Sequence, residues 1–330
     1  MNSKLCSIII PVYNDWQYLH RLLERLLHLN GRVSSSVAEL FNIIVVNDGS
    51  AEDQSDSLPQ SPLVSCFSKP NGGVSSARNF GLAQAQSDFI MFLDCDDDVP
   101  DNVFDILYRD LHGSTIDVIQ YSYVKHVGAG QDKLFAVKDG EGVQLFKNLL
   151  LKKNSFHICS FVFSRHYLND NHIRFDQSIG LSEDVLFVVE ALARTERSAS
   201  HQEVIYAYNA RPDSVIASFK GKREVEHLHA FSKIQHIINT YLTSEMQSCG
   251  NFFLKTCIAN LYLRSTKLAM KKDGSDYERL LQQLKEFYRQ IGSSRYPLTG
   301  RTLFIMLLEL TIRSRAYYRI SKRINRGYYG

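Results

Sequence analysis

Short runs that are apolar on both faces alternate with segments of helical periodicity along residues 4–110, and this alternation constrains the fold more than any other feature. Cys6 to Val12 reads CSIIIPV, β-branched, too short for a helix and without a polar face, as expected of a strand in a parallel sheet covered on both sides. The period then changes. Leu19, Leu22, Leu23, Leu26 and Leu27 fall at i, i+3, i+4, i+7 and i+8, one stripe of an amphipathic helix that ends near Asn30-Gly31. FNIIVV (Phe41 to Val46) is a second buried strand, Val64 to Ser68 a weaker third, Val74 to Gln86 an alanine-rich helix and DFIMFL (Asp88 to Leu93) a fourth strand. Pro100 suits the first turn of a further helix carrying Val103, Phe104 and Leu107. Strands alternating with helices predict an α/β fold built on a doubly wound, mostly parallel sheet.

The segment from Ala51 to Pro62, AEDQSDSLPQSP, is polar and proline-punctuated and reads as a loop. From Asp117 the pattern loosens: a strand over Asp117 to Val124, a helix over Val143 to Leu151, mixed segments to Gly180, a helix from Glu183 to Arg194 and a strand over Val204 to Tyr208. After Lys222 the chain reads as helical throughout. A chain of 330 residues exceeds one comfortable core, so a large domain over 1–220, with halves 1–110 and 111–220, and an extension over 221–330 are expected.

In open α/β sheets ligands sit at the carboxyl ends of the strands. The polar residues there are Pro11-Val12-Tyr13-Asn14, Asn47-Asp48-Gly49-Ser50 and Asp94-Cys95-Asp96-Asp97-Asp98. Several carboxylates within five residues repel one another unless a cation is present. Hard divalent ions such as Mg²⁺ or Mn²⁺ take oxygen ligands from one or two carboxylates together with substrate phosphates. Asp97 or Asp98 could instead cap the helix after Pro100. NDGS could be only a turn, and Tyr13 beside Asp48 could stack on a base whose edge or ribose the carboxylate binds. KPNGGVSSARNFGLA (Lys69 to Ala83) sets two glycines before a helix, where backbone N–H groups can approach an anion, and Arg78 is conspicuous among small residues.

Taken in order, SIIIPVYN, VVNDGS, NGGVSSARNFGL, FLDCDD and SEDVLF (Ser182 to Phe187) resemble the family 2 glycosyltransferases, inverting enzymes of the GT-A fold, over roughly residues 4 to 215. The resemblance implies a mixed, mostly parallel sheet with helices on both faces. It implies a donor site formed by Pro11, Tyr13, Asn14, Asp48, Arg78, Asp94 and Cys95, with Tyr13 and Asp48 at the base and ribose. Asp94 and Asp96 are then the DxD pair that holds the nucleotide and the Mn²⁺ or Mg²⁺. Asp184 is the catalytic base, with Glu183 as the less favoured acid, and Ser182 is a candidate N-cap before them. Arg211, in YAYNARPDSV, only loosely matches the family's diphosphate segment. A second departure is the loop after NDGS, where the family usually has a helix. The implied partners are a nucleotide-sugar donor, UDP-sugars first, and a glycan or lipid-linked glycan acceptor in bacterial surface polysaccharide synthesis.

Three other readings compete. A haloacid-dehalogenase-like phosphotransferase also ends a strand in DxD but would need Thr or Val in place of Asp98. A sugar-nucleotide pyrophosphorylase would need a glycine-rich loop where PVYN stands. An inactive nucleotide-sugar-binding module would have lost Asp94, Asp96 or Asp184, and all three are present.

The net charge of +3 divides unevenly: 301–330 holds six Arg and one Lys against Glu309, so that segment is +6 and the remainder −3. Leu303 to Ile312 is mostly apolar, and the basic residues beyond it are interleaved with Tyr317, Tyr318, Tyr328 and Tyr329. Such a segment can lie on an anionic leaflet. An internal packing helix is the competing reading, and nucleic-acid binding is not expected of one short basic tail. Six cysteines without CxxC spacing, no leader-like N-terminus and no apolar stretch of spanning length lead to the expectation of a cytoplasmic protein, peripheral to the membrane if it touches it at all.

Overall fold

The structure is a computed structural model that describes residues 4–127, 131–210, 226–271 and 275–294. Its contacts divide the chain into two compact units, Met1–Leu149 with Lys153–Pro212, and Leu150–Lys152 with Asp213–Gly330.

In the first unit, β1 (Cys6–Val12) forms where the apolar run predicts it, with six of its seven residues buried. The helix α1 (Trp16–Asn30) follows, its buried face carrying Leu19, Leu22, Leu23, Leu26 and Leu29. Leu27 is only half-buried, because 3.6 residues per turn carries the stripe on to Leu29. A short helix α2 (Ser35–Ala38) precedes β2 (Phe41–Asn47), and the expected loop holds a single 3₁₀ turn at Ser55–Ser57 before β3 (Val64–Ser68). Then come α3 (Val74–Gln84), β4 (Phe89–Phe92) and α4 (Val103–Leu111). Pro100 stands before α4 rather than in its first turn. Asn102 occupies the N-cap position, so neither Asp97 nor Asp98 caps this helix.

The remaining elements are β5 (Val118–Val127), β6 (Gln131–Phe135), β7 (Gly140–Glu141), α5 (Val143–Leu150), β8 (Phe161–Ser164), α6 (Arg165–Asp170), α7 (Glu183–Ala193) and β9 (Ser198–Asn209). The strands form one sheet in the order β3-β2-β1-β4-β8-β5-β9-β7, with β6 alongside β5. β3, β2, β1 and β4 are mutually parallel, β8 runs antiparallel between β4 and β5, and β9 is parallel to β5 with bulges opposite Tyr121 to Tyr123. This is the mixed, mostly parallel α/β sheet that the alternation predicts.

Register sets the site. Val12 lies beside Asn47, Ile9 beside Phe92 and Asn47 beside Ser68, so the carboxyl ends of the four parallel strands share one edge. The helix α3 lies close against that sheet because residue 81 is glycine: a Cβ there would come within 2.4 Å of Ile9 Cγ2. Under the same edge Phe175 and Phe187 stack at 4.1 Å, with Phe92 edge-on to them at 5.1 and 5.8 Å. This aromatic block ties β4 to α7. In the second unit the described residues form α8 (Glu226–Tyr241), α9 (Ser244–Lys271) and α10 (Ser275–Gln290), a helical extension in which Ile234, Ile238, Leu254, Ile258 and Leu284 are buried.

Candidate active site

Asp48 leaves the end of β2 with its backbone N–H donating to Val12 O at 2.9 Å, so strand pairing continues into the loop. Its carboxylate, 3% exposed, accepts from Lys69 Nζ at 2.6 Å, from the Gly72 N–H at 3.1 Å and from the Gly73 N–H at 2.7 Å. Asp48 therefore shapes the NGG loop. The chain must be bare opposite Asn71: Gly49 has φ +71°, and a Cβ on it would come within 2.6 Å of the Asn71 nitrogen. Asn14, at φ 61°, joins the same edge through its N–H to Ser50 Oγ and its Oδ1 from the Ala51 N–H, both at 2.9 Å. Tyr13 is 53% exposed beside this junction, and Pro11 is half-buried.

The aspartates after β4 separate by environment. Cys95 and Asp97 are buried, whereas Asp94, Asp96 and Asp98 are half-exposed. Asp98 turns to the Val99 N–H at 2.7 Å and to Arg25 at 3.4 Å. Asp97 accepts from Tyr206 Oη at 2.5 Å and from the Asn209 N–H at 2.8 Å. Burial and the Asp94 charge push its carboxyl up to about 8, against those two hydrogen bonds. Asp94 accepts from Arg78 Nη2 at 2.9 Å. Burial works to raise its carboxyl, but Arg78 and His157 prevail and hold it below the usual carboxylate range.

Arg78 is 4% exposed, lies over Phe175 at 5.2 Å and reaches Glu183 Oε1 at 3.4 Å with its other terminal nitrogen. One guanidinium thus joins the acidic turn to the start of α7. Burial and the neighbouring Asp184 push the Glu183 carboxyl up to about 7, with Arg78 acting in the opposite sense. Asp184 is half-buried and accepts from the Val185 N–H at 2.7 Å. Ser182 holds the N-cap position, but at φ 64° its side chain makes no capping bond. Left-handed backbone at a non-glycine residue is a strained arrangement of the kind that clusters at functional sites.

Three participants are not among the site residues expected from the sequence, although Tyr206 and Asn209 lie in the loosely matching segment YAYNARPDSV. His157 is close enough to Asp94 and Asp184 for both charges to act on it, and burial lowers its pKa. Its Nε2 is 3.1 Å from Tyr206 Oη. Asn209 donates its side-chain amide to the Asp96 carbonyl at 3.1 Å. Arg211 lies outside the described residues, as does 301–330.

Among the described residues no three His, Cys, Asp or Glu side chains are arranged to hold a metal ion by themselves. Asp94, already paired with Arg78, and Asp96 are half-exposed carboxylates of the kind that would hold a hard divalent cation when phosphates complete its shell. The donor set fits Mn²⁺ or Mg²⁺ arriving with a diphosphate. All six cysteines are free thiols, and no helix among the described residues is long and apolar enough to cross a membrane.

Residues 7–170 match the profile of Glycosyl transferase family 2. The chain belongs to that family. It is 27% identical over 222 residues to the uncharacterized glycosyltransferase EpsJ of Bacillus subtilis, covering 64% of this chain and 62% of that protein. The minor teichoic acid biosynthesis protein GgaB of Bacillus subtilis is 28% identical over 219 residues, covering 63% of this chain and 23% of GgaB. The chain thus spans less than two thirds of these relatives. Among solved structures, TarS 1-349 of S. aureus in complex with UDP matches with a TM-score of 0.68 at 18% identity, covering 98% of this chain and 91% of that one. This likeness places the fold in the GT-A class expected of the family.

Proposed function

We propose that the chain transfers a sugar, with inversion, from a nucleotide-sugar donor to a hydroxyl of a glycan or lipid-linked glycan acceptor in bacterial surface polysaccharide synthesis. The observation that carries this reading is the joining, through Arg78, of the acidic turn at Asp94 to the carboxylate pair Glu183-Asp184. A donor diphosphate and an acceptor hydroxyl need groups on opposite sides of the transferred sugar, and these come from segments far apart in sequence.

In this reading 1–110 holds the donor, 111–220 the acceptor, and 221–330 is an extension. Tyr13 and Asp48 lie at the base and ribose, flanked by Pro11, Asn14 and Cys95, and Arg211 contacts the diphosphate. Asp184 removes the acceptor hydroxyl proton as that oxygen forms its bond to the anomeric carbon and the bond to the diphosphate breaks. Mn²⁺ or Mg²⁺ held by Asp96 and Asp94 would offset the charge of the leaving diphosphate. Glu183, already facing Arg78, is the alternative base. A phosphotransferase of the haloacid dehalogenase type would need a free nucleophile at the strand end, and the Arg78 partner of Asp94 counts against it.

A screen of nucleotide sugars for metal-dependent nucleoside diphosphate release tests the reading. The UDP in the TarS complex makes UDP-sugars the first to try. Asp184→Asn should lower transfer by about 10² to 10⁴-fold with donor binding retained. Transfer within tenfold of the unaltered chain would move the base to Glu183, and absence of release from every nucleotide sugar would overturn the transferase reading. The basic segment 301–330 is proposed to rest on an anionic membrane surface. Equal sedimentation with anionic vesicles of the whole chain and of a chain ending at Gly300 would refute that.

A further inference from the structure

A turn with aspartates at positions 94, 96, 97 and 98 repels itself, yet this one is held from outside by the last residues of β9. The Asp98 N–H donates to Ala207 O at 3.0 Å and the Ala207 N–H to Asp98 O at 2.8 Å, an isolated antiparallel bridge. Asn209 adds its backbone N–H to Asp97 Oδ1 at 2.8 Å and its side-chain amide to Asp96 O at 3.1 Å. Tyr206 completes the set, its hydroxyl on Asp97 Oδ2 at 2.5 Å.

Tyr206 is itself fixed. It is 0% exposed, and its ring lies 4.6 Å from that of His157. His157 Nδ1 accepts from the Cys159 N–H at 3.4 Å, which assigns the proton of the neutral ring to Nε2. That nitrogen lies 3.1 Å from Tyr206 Oη, which in turn lies 2.5 Å from Asp97 Oδ2. The chain of bonds runs His157 to Tyr206 to Asp97. Both Asp97 oxygens are thereby engaged; of its two half-exposed neighbours, Asp98 turns to the Val99 N–H and Arg25, and Asp96 is the other.

We propose that Tyr206 and Asn209 are positioning residues for Asp96: they hold the acidic turn, through Asp97 and the Asp96 carbonyl, in the conformation that accepts a divalent cation. The inference rests on the reading above, in which Asp96 carries the metal. Groups of this kind, bonded to a ligand's neighbours rather than to the metal, set metal affinity without touching the ion.

The test uses the full chain and UDP as probe. UDP binding is measured by calorimetry at stepped Mn²⁺ concentrations and in EDTA, for the unaltered chain, Tyr206→Phe and Asn209→Ala, with thermal melts alongside. Asn209→Ala should melt close to the unaltered chain, Tyr206→Phe should melt lower because it leaves a buried carboxyl oxygen without its partner, and both should bind UDP unchanged in EDTA. The Mn²⁺ concentration giving half-maximal UDP binding should rise about 10 to 100-fold. A purely structural role would lower binding in EDTA and in Mn²⁺ together, and that result overturns the proposal, as does an unchanged Mn²⁺ requirement in both variants. If Tyr206→Phe does not fold, Asn209→Ala, which removes one half-exposed amide, carries the test. If the unaltered chain binds UDP without needing Mn²⁺, the metal reading fails and the positioning role falls with it. An unaltered chain that needs Mn²⁺ beside variants that need no more overturns the positioning role alone.

Discussion

Arg78 and Glu183 stand 105 residues apart in the chain, and Nη1 of the first is 3.4 Å from Oε1 of the second. The same guanidinium holds Asp94 at 2.9 Å, so one cation bridges two carboxylates from different elements. Arg78→Met should destabilise the fold by about 3 to 5 kcal/mol, because it leaves buried charge uncompensated. Arg78→Lys should recover only part of that loss, since a single ammonium lacks the planar fork that spans both partners. Urea unfolding at pH 7 measures both, and a Met variant as stable as the parent would contradict the bridging role.

Glu183 makes stability depend on pH. Its carboxyl is raised from an ordinary 4.5 to about 7, so it is neutral in folded and unfolded chains below pH 4.5 and costs nothing there. Between pH 4.5 and 7 the unfolded chain gives up this proton while the folded chain, where burial and Asp184 oppose ionisation, keeps it, so stability falls across that window and the loss is complete once pH has risen through 7. Glu183→Gln should therefore gain up to about 3 kcal/mol over the parent at pH 8 and little at pH 4.5. Paired denaturation curves at the two pH values decide it, and an advantage confined to low pH would show the sign to be wrong.

Asp48 anchors the glycine loop with both oxygens. An asparagine there keeps one acceptor and turns a donor toward a donor. Asp48→Asn should cost about 2 to 3 kcal/mol. Hydrogen exchange of residues 69–74 should accelerate more than that of α1, and uniform protection in both segments would remove Asp48 from this role.

Gly81 lets α3 approach β1. A methyl group at this position would meet Ile9 Cγ2 at 2.4 Å and Val46 Cγ2 at 3.3 Å, both on buried strands. Gly81→Ala should destabilise by about 1 to 3 kcal/mol even though alanine favours helix, because the core is overpacked. A rise in melting temperature would mean that the helix shifts freely.

β1, β2 and β4 are legible in the sequence because they are apolar on both faces, and burial on both faces leaves no other short structure for CSIIIPV or FNIIVV, whereas β3, VSCFS, has no fully buried residue and gives a weaker signal. β8 is not legible. FVFS has four residues, and nothing in them marks the reversed direction that pairing between β4 and β5 imposes. The first half of β9, SASHQE, is polar and becomes strand only through its register with β5. At the site, Asp94, Asp96, Arg78, Glu183 and Asp184 were marked by their places in an ordered set of motifs. Tyr206, Asn209 and His157 were not, because a hydrogen bond between residues 109 or 49 positions apart leaves no periodic trace.

The same separation orders events during synthesis. Asp97 leaves the ribosome 109 residues ahead of Tyr206, roughly 5 to 20 seconds earlier at ordinary elongation rates. Throughout that interval the nascent chain carries the acidic turn without the strand that holds it. A chain still being translated would thus present the donor motifs from Pro11 to Asp98 and no organised site, and activity would begin only once β9 had joined the sheet.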